Sequence, residues 1–380
     1  MLTLIENGEV YAPEPRGRTP VLLFGDKIAK IGDIDRRRAE SLGLPVEVID
    51  AKGGPVIPGI LDPHIHLTGG SGEEGFSSRS PELQLSEIIP WGITTVVGVL
   101  GVDATTRVLP ALLAKVKGLA EQGLTAYFYT GYYDIPPATL TGSIRNDLMF
   151  IAEVIGLGEV AISDERSPQP DVRELARAVI DAKVGGMLSG KAGVTHFHMG
   201  ELPERMAPLR ALLDDHHIAP ELIYPSHVHR TPELLEEAVE LSKRGCFVDM
   251  DAAEQDLGKW VRRYLEHGGR SDRLTLSSDS DSNSPKNLFL KWRATIQEHK
   301  VPFEQALPFV TSNTAKVLKL AGKGRLEPGQ DADLVVLERD SLEIVEVIAQ
   351  GKRMVRKRQL AEEEKFLEQS DREIELVGKK

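Results

Sequence analysis

From Val56 onward, short apolar runs alternate with longer segments whose apolar positions recur every three or four residues. The short runs read as buried strands and the longer periodicity as amphipathic helices. Strand runs fall at 56–62, 93–99, 125–130, 159–163, 194–198, 220–227, 246–250 and 273–279. Helical patterns lie between most of them, as at 105–122, 171–184, 232–243 and 254–266. Strands alternating with helices predict a parallel sheet in an α/β fold, and eight strands are the number that closes a (β/α)8 TIM barrel.

The chain ends have a different texture. Residues 2–5, 21–24, 27–31 and 46–50 are short β-like pieces separated by Gly8, Gly25-Asp26 and Gly32-Asp33. After a last helical stretch at 311–320, residues 344–355 read as two strands joined at a Gly turn. Neither group has enough strands to stand alone. The expected assembly is one small β-sandwich from residues 1–55 plus 322–360, with a barrel of residues 56–321 inserted between its halves. Residues 361–380, rich in Glu and Lys, are expected to form a solvated charged tail.

A content of 41% hydrophobic and 27% charged residues is that of a soluble globular protein. A formal charge of -12 argues against nucleic acid as a partner, since phosphate binding needs a basic face. The single cysteine, Cys246, excludes an internal disulfide and lies in an apolar run that reads as core. No secretory signal and no apolar stretch of membrane-spanning length are evident, so a cytoplasmic location is expected.

The candidate chemistry sits where the strand runs end. The first run ends in Pro58-Gly-Ile-Leu-Asp-Pro-His64-Ile-His66. Residues i and i+2 of a strand share a face, so both imidazoles can aim at one point. The fifth run ends in His196-Phe-His198 and the sixth in His227-Val-His229-Arg230. Six of the ten histidines thus fall at three strand ends, together with Glu159 on the fourth run and Asp279 on the eighth. In barrels of this type active groups collect at the C-terminal ends of strands, and His with carboxylate is a donor set for a metal such as zinc.

These motifs resemble the amidohydrolase superfamily over nearly the whole chain, through the Pro-Gly-Ile-Leu-Asp-Pro-His-Ile-His opening and the Gly329-Gln-Asp-Ala-Asp-Leu-Val-Val336 ending. Within it the chain is most similar to the isoaspartyl (β-aspartyl) dipeptidases. The pieces that carry this are His66-Leu-Thr-Gly-Gly-Ser-Gly-Glu73, Thr130-Gly-Tyr-Tyr133, Ser163-Asp-Glu-Arg166 and Val194-Thr-His-Phe-His198-Met-Gly200. The resemblance implies a two-metal hydrolase of β-aspartyl dipeptides, with a small dipeptide as substrate and a homo-oligomer of barrels as the assembly.

By position it makes His64, His66, His198, His227 and Asp279 metal ligands, with Asp279 also moving the proton between water and leaving amine. Tyr133 would polarise the scissile carbonyl and Glu73 would meet the substrate's α-amino group. Arg166 and Arg230 would hold a carboxylate, and Gly70 and Ser71 would lie against the ligand. Other amidohydrolase reactions (cyclic-amide or N-acyl-amino-acid hydrolysis) and a catalytically degenerate barrel are the alternatives.

The pattern departs from the family at three places. Glu159 stands where the family bridges two metals with a carbamylated lysine. Its carboxyl carbon lies three bonds nearer the backbone, on the order of 3–4 Å less reach. Glu159 could bridge two divalent ions after a local backbone shift, serve a single ion, or be a spectator. Val102 replaces a hydroxyl residue, and Asp281-Ser-Asn-Ser284 replaces a Gly-rich segment.

Overall fold

A computed structural model describes residues 2–253, 256–362 and 364–370. Its centre is a parallel sheet of six strands paired in chain order: Ile60–Ile65, Ile93–Gly98, Thr125–Thr130, Val154–Ile162, Val194–Met199 and Ile223–Ser226. Val248–Asp251 and Leu274–Ser277 form a further parallel pair. The eighth strand's exit meets the first strand through backbone bonds: Asp279 N–H donates to His64 C=O and His66 N–H to Ser280 C=O, both at 3.0 Å. Helices between the strands pack Leu, Val and Ile onto the outside of this sheet. The result is a mixed α/β, TIM-barrel-like fold.

Local signals explain the helix positions. The Val172–Ser189 helix opens on a reciprocal Asp171–Glu174 capping box and closes at Gly190, in left-handed conformation. Pro232–Arg244 starts with Thr231 capping Leu234 N–H and Pro at the first helical position, where its missing N–H costs nothing.

Several boundaries differ from expectation. The run expected as one strand at 56–62 is two. Pro55–Pro58 pairs antiparallel with Leu334–Leu337, and only from Ile60 does the chain enter the barrel sheet. Gly59, between them, has no room for a side chain, because a Cβ would fall on Thr94. The fourth strand begins earlier, at Val154. The sixth, seventh and eighth are shorter, at Ile223–Ser226, Val248–Asp251 and Leu274–Ser277. His227 and Asp279 therefore lie just beyond strands, at φ 59° and 44°. The helix expected from Thr105 starts at Leu109, because Asp103 first holds a turn through Thr105 and Thr106 N–H. The helix expected from Glu254 starts at Leu257, Glu254 itself lying outside the described residues.

Both chain ends contribute to two sheets. One has four strands: Leu2–Glu6, Val21–Phe24, Lys27–Ile31 and Val46–Asp50. The other has seven and joins Glu9–Tyr11, Pro15–Arg18 and Pro55–Pro58 to the strands of residues 334–360. One apolar cluster holds Ile5, Val21, Leu23, Ile28 and Ile49 of the first with Val10, Val56, Leu334, Val336 and Ile348 of the second. Within the segment expected as a solvated or frayed tail, Glu364 is buried and accepts Ser86 N–H at 2.7 Å. Residues 371–380 of that tail lie outside the described residues.

Candidate metal centre and active site

The strand ends deliver their side chains to one buried point. His64 Nε2 lies 3.2 Å from Asp279 Oδ1 and 3.4 Å from Glu159 Oε1. His66 Nε2 lies 3.3 Å from Asp279 Oδ1. Glu159 Oε1 also lies 2.7 Å from His198 Nδ1 and 3.2 Å from His227 Nε2. Glu159 thus sits centrally, within reach of three histidines from three strands. Candidate donor atoms of His64, His66 and Asp279, and again of His64, Glu159 and His227, lie within 4.8 Å of one another. Gly101 lets this happen at φ 73°, since a Cβ there would come 2.6 Å from the His66 ring.

Two observations test whether these residues fit a metal. His64 Nε2 and Glu159 Oε2 are buried without a hydrogen-bond partner. Leaving such atoms unsatisfied is costly, and a cation placed between them would satisfy both. The electrostatics agree. Burial opposes the imidazolium of His64, yet Glu159 and Asp279 outweigh it and push its pKa up to about 10. Burial would raise Glu159, but the charges of His64 and His198 hold it well below the usual carboxylate range. The donor set fits.

Carboxylates and a histidine contact these side chains from behind. Asp251 Oδ2 lies 2.7 Å from His227 Nδ1, the carboxylate–histidine arrangement that fixes ring orientation at metal sites. Asp164 Oδ2 lies 3.1 Å from His198 Nε2, and Asp164 also accepts two charge-assisted bonds from Arg166, at 2.8 Å each. Behind His64 stands His196, its Nε2 3.1 Å from His64 Nδ1.

Above the cluster opens a cavity of about 150 Å³. His66, His198 and Asp279 form its floor, and Tyr133, Arg166, Arg230, Glu73, Gly70 and Ser71 line its walls. Every expected site residue except the fully buried His64, Glu159 and His227 therefore borders this space. The Tyr133 hydroxyl lies 2.9 Å from His198 Nδ1. Burial, reinforced by Glu159, raises its pKa well above the ordinary tyrosine value, so it keeps its proton and can donate. Arg166 pairs with Glu73 at 2.6 Å, and Arg230 donates to Met199 C=O at 2.7 Å. Val102 and Asp281 also line the cavity, and Ser71 Oγ donates to Asp281 at 3.2 Å.

Sequence reasoning passed over Asp251 and Arg107, and gave Asp164 a place in a motif without a role. Asp251 had a signal, as the last residue of a barrel strand. Arg107 had none: it is buried and donates to the carbonyls of Thr68, Ser71 and Ser80, holding the glycine-rich loop over the site.

Histidines and acids converging at the C-terminal mouth of a parallel barrel define a metal-dependent hydrolase. The sequence comparison makes the class specific: the chain belongs to the amidohydrolase family, whose model matches residues 56–355. A solved structure of the β-aspartyl dipeptidase of Fervidobacterium islandicum AW-1 is 39% identical, covers 95% of this chain and 99% of that one, and superposes with a TM-score of 0.90. The same enzyme in complex with the β-Asp-Leu dipeptide gives 37% identity and a TM-score of 0.91, over 95% of this chain and 98% of that one. Adenine deaminase 1 of Carboxydothermus hydrogenoformans is 26% identical over 88% of this chain, which spans only about half (54%) of that protein's length.

Proposed function

We propose that this chain hydrolyses the amide bond of β-aspartyl dipeptides with two divalent cations, zinc by donor type. His64, His66 and Asp279 would hold one, His198 and His227 the other, and Glu159 would stand between them in place of a carbamylated lysine. When bound, such ions acidify a water and polarise the amide carbonyl.

The chain's own groups carry the rest. Asp279 is placed to accept the proton of the attacking water and return it to the leaving amine. Tyr133, holding its proton, donates to the oxygen of the scissile carbonyl as negative charge builds there. Arg166 and Arg230 offer guanidinium groups to the substrate's carboxylate, with Asp164 keeping Arg166 in plane. Glu73 meets the α-amino group, exchanging its bond with Arg166 for one with substrate. Arg107 holds the loop carrying Gly70 and Ser71 at the rim.

What supports the substrate reading is likeness to a β-aspartyl dipeptidase over 95% of the chain, combined with a cavity that brings Arg166, Arg230, Glu73 and Tyr133 to the donor cluster. The reading also takes the two terminal sheets as one small β-sandwich. It further takes the protein as cytoplasmic and as a homo-oligomer, the latter supported by Phe150, Met187 and Leu188 being largely exposed on adjacent helices. No helix among the described residues is long and apolar enough to cross a membrane.

The test is a panel of β-Asp-Leu, α-Asp-Leu, dihydroorotate and N-acetyl amino acids offered to zinc-loaded protein. Turnover of β-Asp-Leu with α-Asp-Leu untouched is the expected result. Zero turnover of β-Asp-Leu overturns the reading.

A further inference from the structure

The interior of the barrel beneath the cluster holds a chain of hydrogen bonds whose direction is fixed at one end. His196 Nδ1 lies 3.1 Å from the carbonyl oxygen of Tyr224. A carbonyl has no proton to give, so His196 Nδ1 carries the hydrogen and donates it. The His196 ring is fully buried, stacked on Tyr129 with centroids 5.1 Å apart and planes 11° from parallel. A buried neutral imidazole protonated at Nδ1 presents a bare lone pair at Nε2. That lone pair lies 3.1 Å from His64 Nδ1, so His64 must be the donor there. The nitrogen left over on His64 is Nε2, the atom facing Asp279 and Glu159.

We propose that His196 is a positioning residue that sets the tautomer and ring plane of His64, leaving His64 Nε2 available to a metal. The relay runs from His64 Nδ1–H to His196 Nε2, and from His196 Nδ1–H to Tyr224 C=O. Its geometry is held from two further sides. The His64 and His196 rings meet edge-on at 90°, with centroids 4.9 Å apart. A Cβ on Gly158 would come 2.9 Å from His196 Cβ, so glycine in the fourth strand leaves the space His196 occupies. His227 is oriented by the Asp251 carboxylate, whereas His64 is oriented by a neutral ring that ends on a carbonyl. The support behind His64 therefore adds no negative charge to the site.

The inference rests on His64 being a metal ligand, and two measurements on the full chain separate the two ideas. The first is a long-range 1H–15N correlation on protein labelled with 15N-histidine, which reads the tautomer of His196 directly. The expected form is Nδ1–H with unprotonated Nε2, the less common tautomer of free histidine. His196 found as Nε2–H overturns the proposal, whatever the metal does.

The second is zinc affinity, by competition with a chromogenic chelator, for wild type, H196Q and H196F. Glutamine keeps an acceptor at comparable reach and is expected to stay close to wild type. Phenylalanine keeps the ring and removes the acceptor, and is expected to lose roughly 10–100-fold. Equal affinity in all three overturns the role of His196 alone. A wild type that takes up no zinc overturns the metal reading as well. Zinc uptake without β-Asp-Leu hydrolysis overturns only the substrate reading.

Discussion

Two interiors of this molecule are built on opposite principles. Between the terminal sheets the buried side chains are aliphatic, among them Ile5, Val21, Leu334, Val336 and Ile348. Such a core gains from removing apolar surface from water and tolerates many volume-conserving changes. Around and beneath the cluster in the barrel, His64, Glu159, His196, His198, His227, Asp249 and Asp251 are equally buried, and all are polar. Their burial opposes folding unless each is partnered, which the Thr275 and Ser277 hydroxyls do for Asp249 at 2.5 Å. Even with those bonds, burial pushes Asp249 up to about 7. One interior is built for stability and the other for chemistry.

Substitutions should separate them. Glu159→Gln, which removes the central anion, is expected to lower zinc content and β-Asp-Leu turnover together, beyond the loss from removing a proton-transfer group alone. Full activity and metal content in that variant would break the assignment. Asp279→Asn is expected to cut kcat roughly 10²–10⁴-fold, the usual scale for a lost general base, in a protein of unchanged circular dichroism.

Leu334→Ala should do the reverse. It is expected to cost about 2–5 kcal/mol in urea unfolding while leaving kcat per folded molecule unchanged. A fall in kcat there would show that the two interiors are energetically joined. The smallest effect is expected from Glu364→Ala, which removes the acceptor of Ser86 N–H and should cost about 1 kcal/mol in the same assay.

The alternation of strand and helix was legible because it follows the two periodicities directly. The cluster was legible because His-x-His pairs at strand ends share a face. What escaped depended on tertiary neighbours. The break at Gly59 is set by Thr94, a residue 35 positions away, and by pairing with strands near the other chain end. Asp164 looks like a loop acid until Arg166 and His198 are seen around it. His196 and His198 share a strand face, and in the structure the first meets the Tyr224 carbonyl and the second the Glu159 carboxylate.

The pairing of Pro55–Pro58 with Leu334–Leu337 has a consequence for biosynthesis. The strand bearing His64 and His66 is led in by a segment whose partner emerges from the ribosome some 275 residues later, and Gly59 N–H waits for Asp333 C=O. Contacts so distant in sequence form late. The lead-in to His64 is therefore anchored only after Leu334–Leu337 have been made.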